Sequence, residues 1–136
     1  MMNPAQTARS RWVPVVVVLG ALLLATGAVI ALARPAMLLS SYEAITPAVR
    51  TYADYFAVRN LAMALLLLAL LVMGARRALG NGLILVGWVQ LLDAAMDCAE
   101  GRCTLVPGVT LLGILFLLTA FKLCGAPFWR RAAWIP

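Results

Sequence analysis

The chain is 136 residues long, 65% hydrophobic and only 12% charged, a balance that excludes an ordinary soluble domain and fits a single small bundle of membrane helices. The net charge of +6 does not point to nucleic acid, because the basic residues sit at the ends of apolar runs, where they act as a topology signal. Histidine is absent, which removes the commonest metal ligand and near-neutral general base, and the three scattered cysteines are too few for a zinc or iron–sulfur centre, so neither metal nor cofactor is expected.

Residues 1–11 form a short basic segment through Arg9 and Arg11, followed by an apolar run over residues 12–33. About 20 such residues cross ~30 Å of hydrocarbon at a rise of ~1.5 Å each. Ala31-Leu32-Ala33 has the form of a signal-peptidase site, but the apolar core is longer than a signal h-region, so a retained first span is expected. Gly20 and Gly27, with Ala21, Ala25 and Ala28, give that span small faces that permit close helix approach.

Arg34-Pro35 ends the first helix, since proline lacks an amide hydrogen and biases the residue before it away from helix. Ser40-x-x-Glu43 has the form of a capping box, and Thr46-Pro47 is a second start signal. From there a helical pattern runs to Gly74, about 42 Å at the standard rise, so its first two turns are expected at the interface. Arg50 and Asp54 are spaced to pair at i,i+4, and Tyr52, Tyr55 and Arg59 share one face through a 3-then-4 spacing. Tyr52 and Tyr55 suit an interfacial aromatic belt. Asn60 lies about 100° round from Arg59.

Residues 75–82 read as a tight basic turn around Arg76 and Arg77, and the third helix is expected from Leu83 to near Asp97. Leu83, Val86, Gln90, Asp93 and Asp97 make one stripe on it, apolar at one end and acidic at the other. Residues 98–107 form the next loop, Pro107 opens the fourth helix, and Lys122, Gly125 and Pro127 close it. The tail, with Trp129, Arg130, Arg131 and Trp134, reads as an interfacial anchor. The expectation is thus a single all-α domain over residues 1–136, a four-helix transmembrane bundle with spans at about 12–33, 55–74, 82–97 and 107–123.

Orientation follows from the loops. Arg9, Arg11, Arg76, Arg77, Lys122, Arg130 and Arg131 gather on one side without an acid, whereas Arg34, Arg50 and Arg102 face Glu43, Asp54 and Glu100 on the other. The positive-inside rule therefore puts both termini in the cytoplasm of a multi-pass protein of the cell membrane. Cys98 and Cys103 fall on the outer side, where a disulfide closing a small loop is open but not established by spacing.

The candidate site lies where polar groups interrupt lipid-like sequence. A charge inside a bilayer costs a few kcal/mol, on the order of 3 at the centre of a span, so it needs a partner, a wet cavity or a task. Arg59 and Asp93 are each expected roughly 6 Å inside their end of the span, on antiparallel neighbours, which favours a pair between them. Asp97 is one turn nearer the water, leaving two acids for one close arginine. Asn60 and Gln90 are available as neutral hydrogen-bond partners. One reading makes Arg59–Asp93 a structural pin between helices. Another makes Asp93, Asp97 and Arg59 catalytic, with Asn60, Gln90, Tyr55 and Tyr52 lining an outward-facing pocket for a small lipophilic substrate. Three classes stay open: a membrane isomerase, cyclase or epoxide-opening hydrolase using acid/base chemistry, a non-catalytic lipid-binding, ligand-binding or accessory protein, and a small proton-coupled exporter. The exporter is disfavoured because no acid lies near the midplane. The expected partners are the lipid bilayer and a small lipophilic ligand, with homo-oligomerisation open and no nucleic acid.

Tyr55-Phe56-Ala57-Val58-Arg59-Asn60-Leu61-Ala62 opening a hydrophobic helix, followed by a helix ending in Leu92-Asp93-Ala94, resembles the small uncharacterised four-helix membrane proteins related to the DoxX-like group. The similarity spans roughly residues 35–121. It implies a four-helix bundle with Arg59 and Asp93 as family positions and no established activity. In that group an acid is expected after the arginine, whereas this chain has Asn60, which argues against a base at that position.

Overall fold

The computed structural model describes residues 4–38, 44–104 and 106–125, with side chains from Trp12 onward. They form α1 (Pro4–Ala33), a short 3-10 turn (Pro35–Leu38), α2 (Pro47–Val72), α3 (Arg76–Ala99) and α4 (Val106–Cys124), with no strand among the described residues. Each of the four helices holds a stretch long and apolar enough to cross a membrane, Trp12–Ala33 in the case of α1. The fold class is the all-α membrane bundle that the sequence predicts.

The helix ends have local causes. α1 stops at Ala33, just before Arg34-Pro35. The Thr46 hydroxyl oxygen accepts the Val49 N–H at 3.3 Å, and Pro47 takes the first helical position, where a missing N–H costs nothing. At the other end of α2, Gly74 adopts φ 67°. Its N–H donates to the Leu71 carbonyl and that of Ala75 to the Leu70 carbonyl, each at 3.1 Å, which closes the helix. This turn is shorter than expected: α3 starts at Arg76 rather than beyond Gly82. Gly74 reverses the chain alone, so Gly80 and Gly82 are not turn residues but buried helical positions that let Cys124 and the Leu67 and Leu70 side chains come close. The Ser40–Glu43 capping box and the Trp129–Trp134 anchor lie outside the described residues.

α1 packs along α2 and α3 packs along α4, while the contacts of α2 with α3 and of α1 with α4 are much thinner. The molecule is thus two helical hairpins laid together. Where α1 enters and α2 ends, all four helices contribute to one core, including Val17 and Leu24 of α1, Leu67 of α2, Leu83 and Val86 of α3, and Phe116 of α4. Phe116 is fully buried and its ring occupies the space a Gly20 side chain would take. In the far half the core narrows to Ala28 and Ala31 of α1 against Ala53 and Ala57 of α2, flanked by Phe56. The small residues of α1 are therefore used inside the bundle. Lipid tails are as apolar as leucine, so this association rests on close packing rather than on removal of water. Gly87 and Gly113 show it best: a Cβ on Gly113 would lie 3.0 Å from the Gly87 carbonyl oxygen, and α3 and α4 meet backbone to backbone. Leu19, Leu22, Leu65, Leu85 and Leu111 stay exposed on the outside, as lipid-facing residues do.

Candidate functional site

Arg59 leaves α2 toward α3 and donates from Nη2 to Asp93 Oδ2 at 2.6 Å, bridging the thin seam between the two hairpins. The guanidinium also stands 5.3 Å from the centre of the Phe56 ring, one turn away on its own helix. The side chains are 41% and 24% exposed, so the pair lies at the surface of the bundle and not in its core. The register expectation is met: a 3-then-4 stripe on α3 puts Leu83, Val86 and Gln90 inside and brings Asp93 to the edge.

Asp97 is not a surplus carboxylate. Arg102 donates from Nη2 to Asp97 Oδ1 at 2.9 Å and also reaches the Glu100 carboxylate. The chain makes this possible just past α3: Gly101 takes φ 75°, and the Arg102 N–H donates to the Asp97 carbonyl at 2.8 Å, folding Arg102 back over the last turn. A cation there also meets the negative end of the helix dipole. Arg102 is the residue that sequence reasoning missed. Its signal was present in Glu100-Gly101-Arg102, a turn glycine followed by a cation directly after an acid-ended helix.

Asn60 is 4% exposed and Gln90 is 6% exposed. Asn60 turns away from Arg59 toward α1, where its Nδ2 lies 3.6 Å from the place a Gly27 Cβ would occupy. Its Oδ1 is buried with no hydrogen-bond partner. An unpaired buried amide oxygen costs about 1–3 kcal/mol, so its presence calls for an explanation. Tyr52 and Tyr55, at 65% and 74% exposure, face outward and are not gathered with Asn60 and Gln90. Cys98 and Cys103 are both exposed free thiols.

Two surface recesses formed by described residues are not walled by Arg59, Asn60, Gln90, Asp93 or Asp97. One of about 260 Å³ lies at the corner between α2 and α3. The other, of about 190 Å³, lies where α1 ends and α2 begins and includes Arg50 and Asp54, which make no ion pair with each other despite their i,i+4 spacing.

The arrangement can hold charge in place and offer one unsatisfied acceptor to a donor. It does not leave a free acid beside a paired one, since each α3 carboxylate sits on its own guanidinium and is acceptor-only there. Residues 20–123, which contain Arg59, Asn60, Gln90, Asp93, Asp97 and Arg102, match the model of a family described as a domain of unknown function (DUF4267). The chain belongs to that family and is a small four-helix, multi-pass membrane protein. Comparison with curated proteins and with solved structures gives no match. The DoxX-like relation stays a likeness of short motifs.

Proposed function

We propose that the protein is a non-catalytic ligand-binding membrane protein, in which Asn60 receives the hydrogen-bond donor of a small lipophilic molecule and Arg59–Asp93 latches the two hairpins beside it. The observation that carries the reading is the partnerless Oδ1 of Asn60, a residue 4% exposed. A donor such as a hydroxyl carried on an apolar body satisfies that oxygen without bringing charge into the bundle. Acid/base turnover is the weaker reading, because it requires Asp93 to exchange Arg59 for a proton, or Asp97 to leave Arg102.

The test is the small lipophilic material that co-purifies with the protein in detergent, profiled by mass spectrometry for wild type and Asn60→Leu. The binding reading expects a compound enriched with wild type and absent from the variant. Identical profiles, with Asn60→Leu folded and more stable, would overturn it. The latch is tested separately with Arg59→Asp, Asp93→Arg and their combination. A latch regains stability in the charge-swapped pair, whereas a catalytic acid in that position does not regain function.

A further inference from the structure

At the corner where α2 turns into α3, the recess of about 260 Å³ is walled by Val13, Leu70, Leu71, Leu79 and Leu123, drawn from all four helices, and Arg76 is the one charged group among the described residues that line it. Pro14 and Gly74 complete the lining, and both leave room: Gly74 has no side chain and meets nothing within 4 Å of where one would start. Arg76 is exposed and makes no ion pair among the described residues. It opens α3, whose N-terminus has no side-chain cap and no acid in its first turn; the first N–H is taken by the Gly74 carbonyl at 2.8 Å, and no carboxylate on that turn offsets the positive end of the helix. The helix ends on this face add Arg77 and Lys122 and no acid.

We infer that this recess is a binding site for one anionic phospholipid. Its phosphate rests on the Arg76 guanidinium at the positive end of α3, and one acyl chain lies along the leucine-lined walls. A zwitterionic lipid fits less well, since no carboxylate is among the described residues that line the recess to take its ammonium. Basic recesses between membrane helices are where anionic headgroups bind, and an apolar slot below the cation distinguishes a site from a diffusely basic surface. The inference concerns the opposite end of α2 from Asn60 and stands independently of the proposed function.

The test uses the full chain in detergent micelles, with native mass spectrometry and thermal unfolding in the presence of phosphatidylglycerol or phosphatidylcholine of the same acyl chains. Phosphatidylglycerol is expected to be retained one per chain and to raise the unfolding midpoint, with phosphatidylcholine lost at the same activation energy. Arg76→Gln should weaken retention about tenfold or more, the change a lost charge-assisted hydrogen bond brings, while Arg77→Gln leaves it near wild type. Leu71→Trp, or Val13→Phe if that variant unfolds, should block retention with Arg76 intact, and glycerol phosphate, which has no chains, should not compete. Equal retention of the two lipids, or equal losses for Arg76→Gln and Arg77→Gln, would overturn the site in favour of general surface charge. Competition by glycerol phosphate would overturn the acyl slot.

Discussion

In the half of the bundle where α1 enters, Val17, Leu67, Leu83 and Phe116 meet from four helices with no exposure at all, whereas in the far half the buried apolar side chains are small, Ala28, Ala31, Ala53 and Ala57 between α1 and α2 and Ala94 on α3. There the hairpins are joined by a guanidinium and a carboxylate at 2.6 Å. The first half is held by shape, which is uniform and unforgiving of volume change. The second is held at a few points, and Asn60 and Gln90 are buried polar groups of the two helices that it joins. A four-helix membrane protein therefore does not need one mode of cohesion along its length, and the loosely joined end is where its unusual chemistry collects.

The largest effect should come from the packed half. Phe116→Ala removes a fully buried ring seated over Gly20 and is expected to lower stability by about 3 kcal/mol, measured as steric-trap or SDS-induced unfolding in micelles. A cost near zero would mean that the four-helix core is not what holds the hairpins. Gly113→Ala comes next, because its Cβ must enter 3.0 Å from a backbone oxygen that cannot swing away, and about 1–3 kcal/mol is expected. In the far half the scale falls. A double-mutant cycle on Arg59→Ala and Asp93→Ala should give a coupling of about 0.6 kcal/mol and no more than about 1.7, the range of polar contacts between membrane helices. A coupling well above that would place the pair on a par with the core and erase the contrast. The smallest effect is expected for Asp97→Asn, within about 0.5 kcal/mol, since Arg102 keeps Glu100 and the amide oxygen of the variant still accepts from its guanidinium. Hydrogen exchange sharpens the same contrast, with amides near Asp93 and Asp97 expected to exchange faster than those near Leu83.

Much of the architecture was legible in the residues because membrane helices announce themselves by length and apolarity, and Thr46-Pro47, Arg34-Pro35 and the Arg59–Asp93 register followed from local rules. The turn at Gly74 was overestimated because Gly80 and Gly82 look like turn residues in one dimension, while in three they are the small positions that bring helices together. Arg102 escaped because its partner is set by a single left-handed glycine, and periodicity carries no information past a helix end. Asn60 was placed correctly around the helix relative to Arg59, but that its Oδ1 is buried without a partner is set by tertiary packing, which its position on α2 does not carry.

The 34-residue separation between Arg59 and Asp93 also bears on how the protein is made. Synthesis from the N-terminus delivers the α1–α2 hairpin to the bilayer while the acid that answers Arg59 does not yet exist. During that interval the arginine has only the headgroups to turn to, reaching for them along its own aliphatic stem. Arrival of α3 supplies the counter-charge and draws the guanidinium across the seam. The ion pair is thus a marker of order in biogenesis: it closes only when the second hairpin has come to lie beside the first.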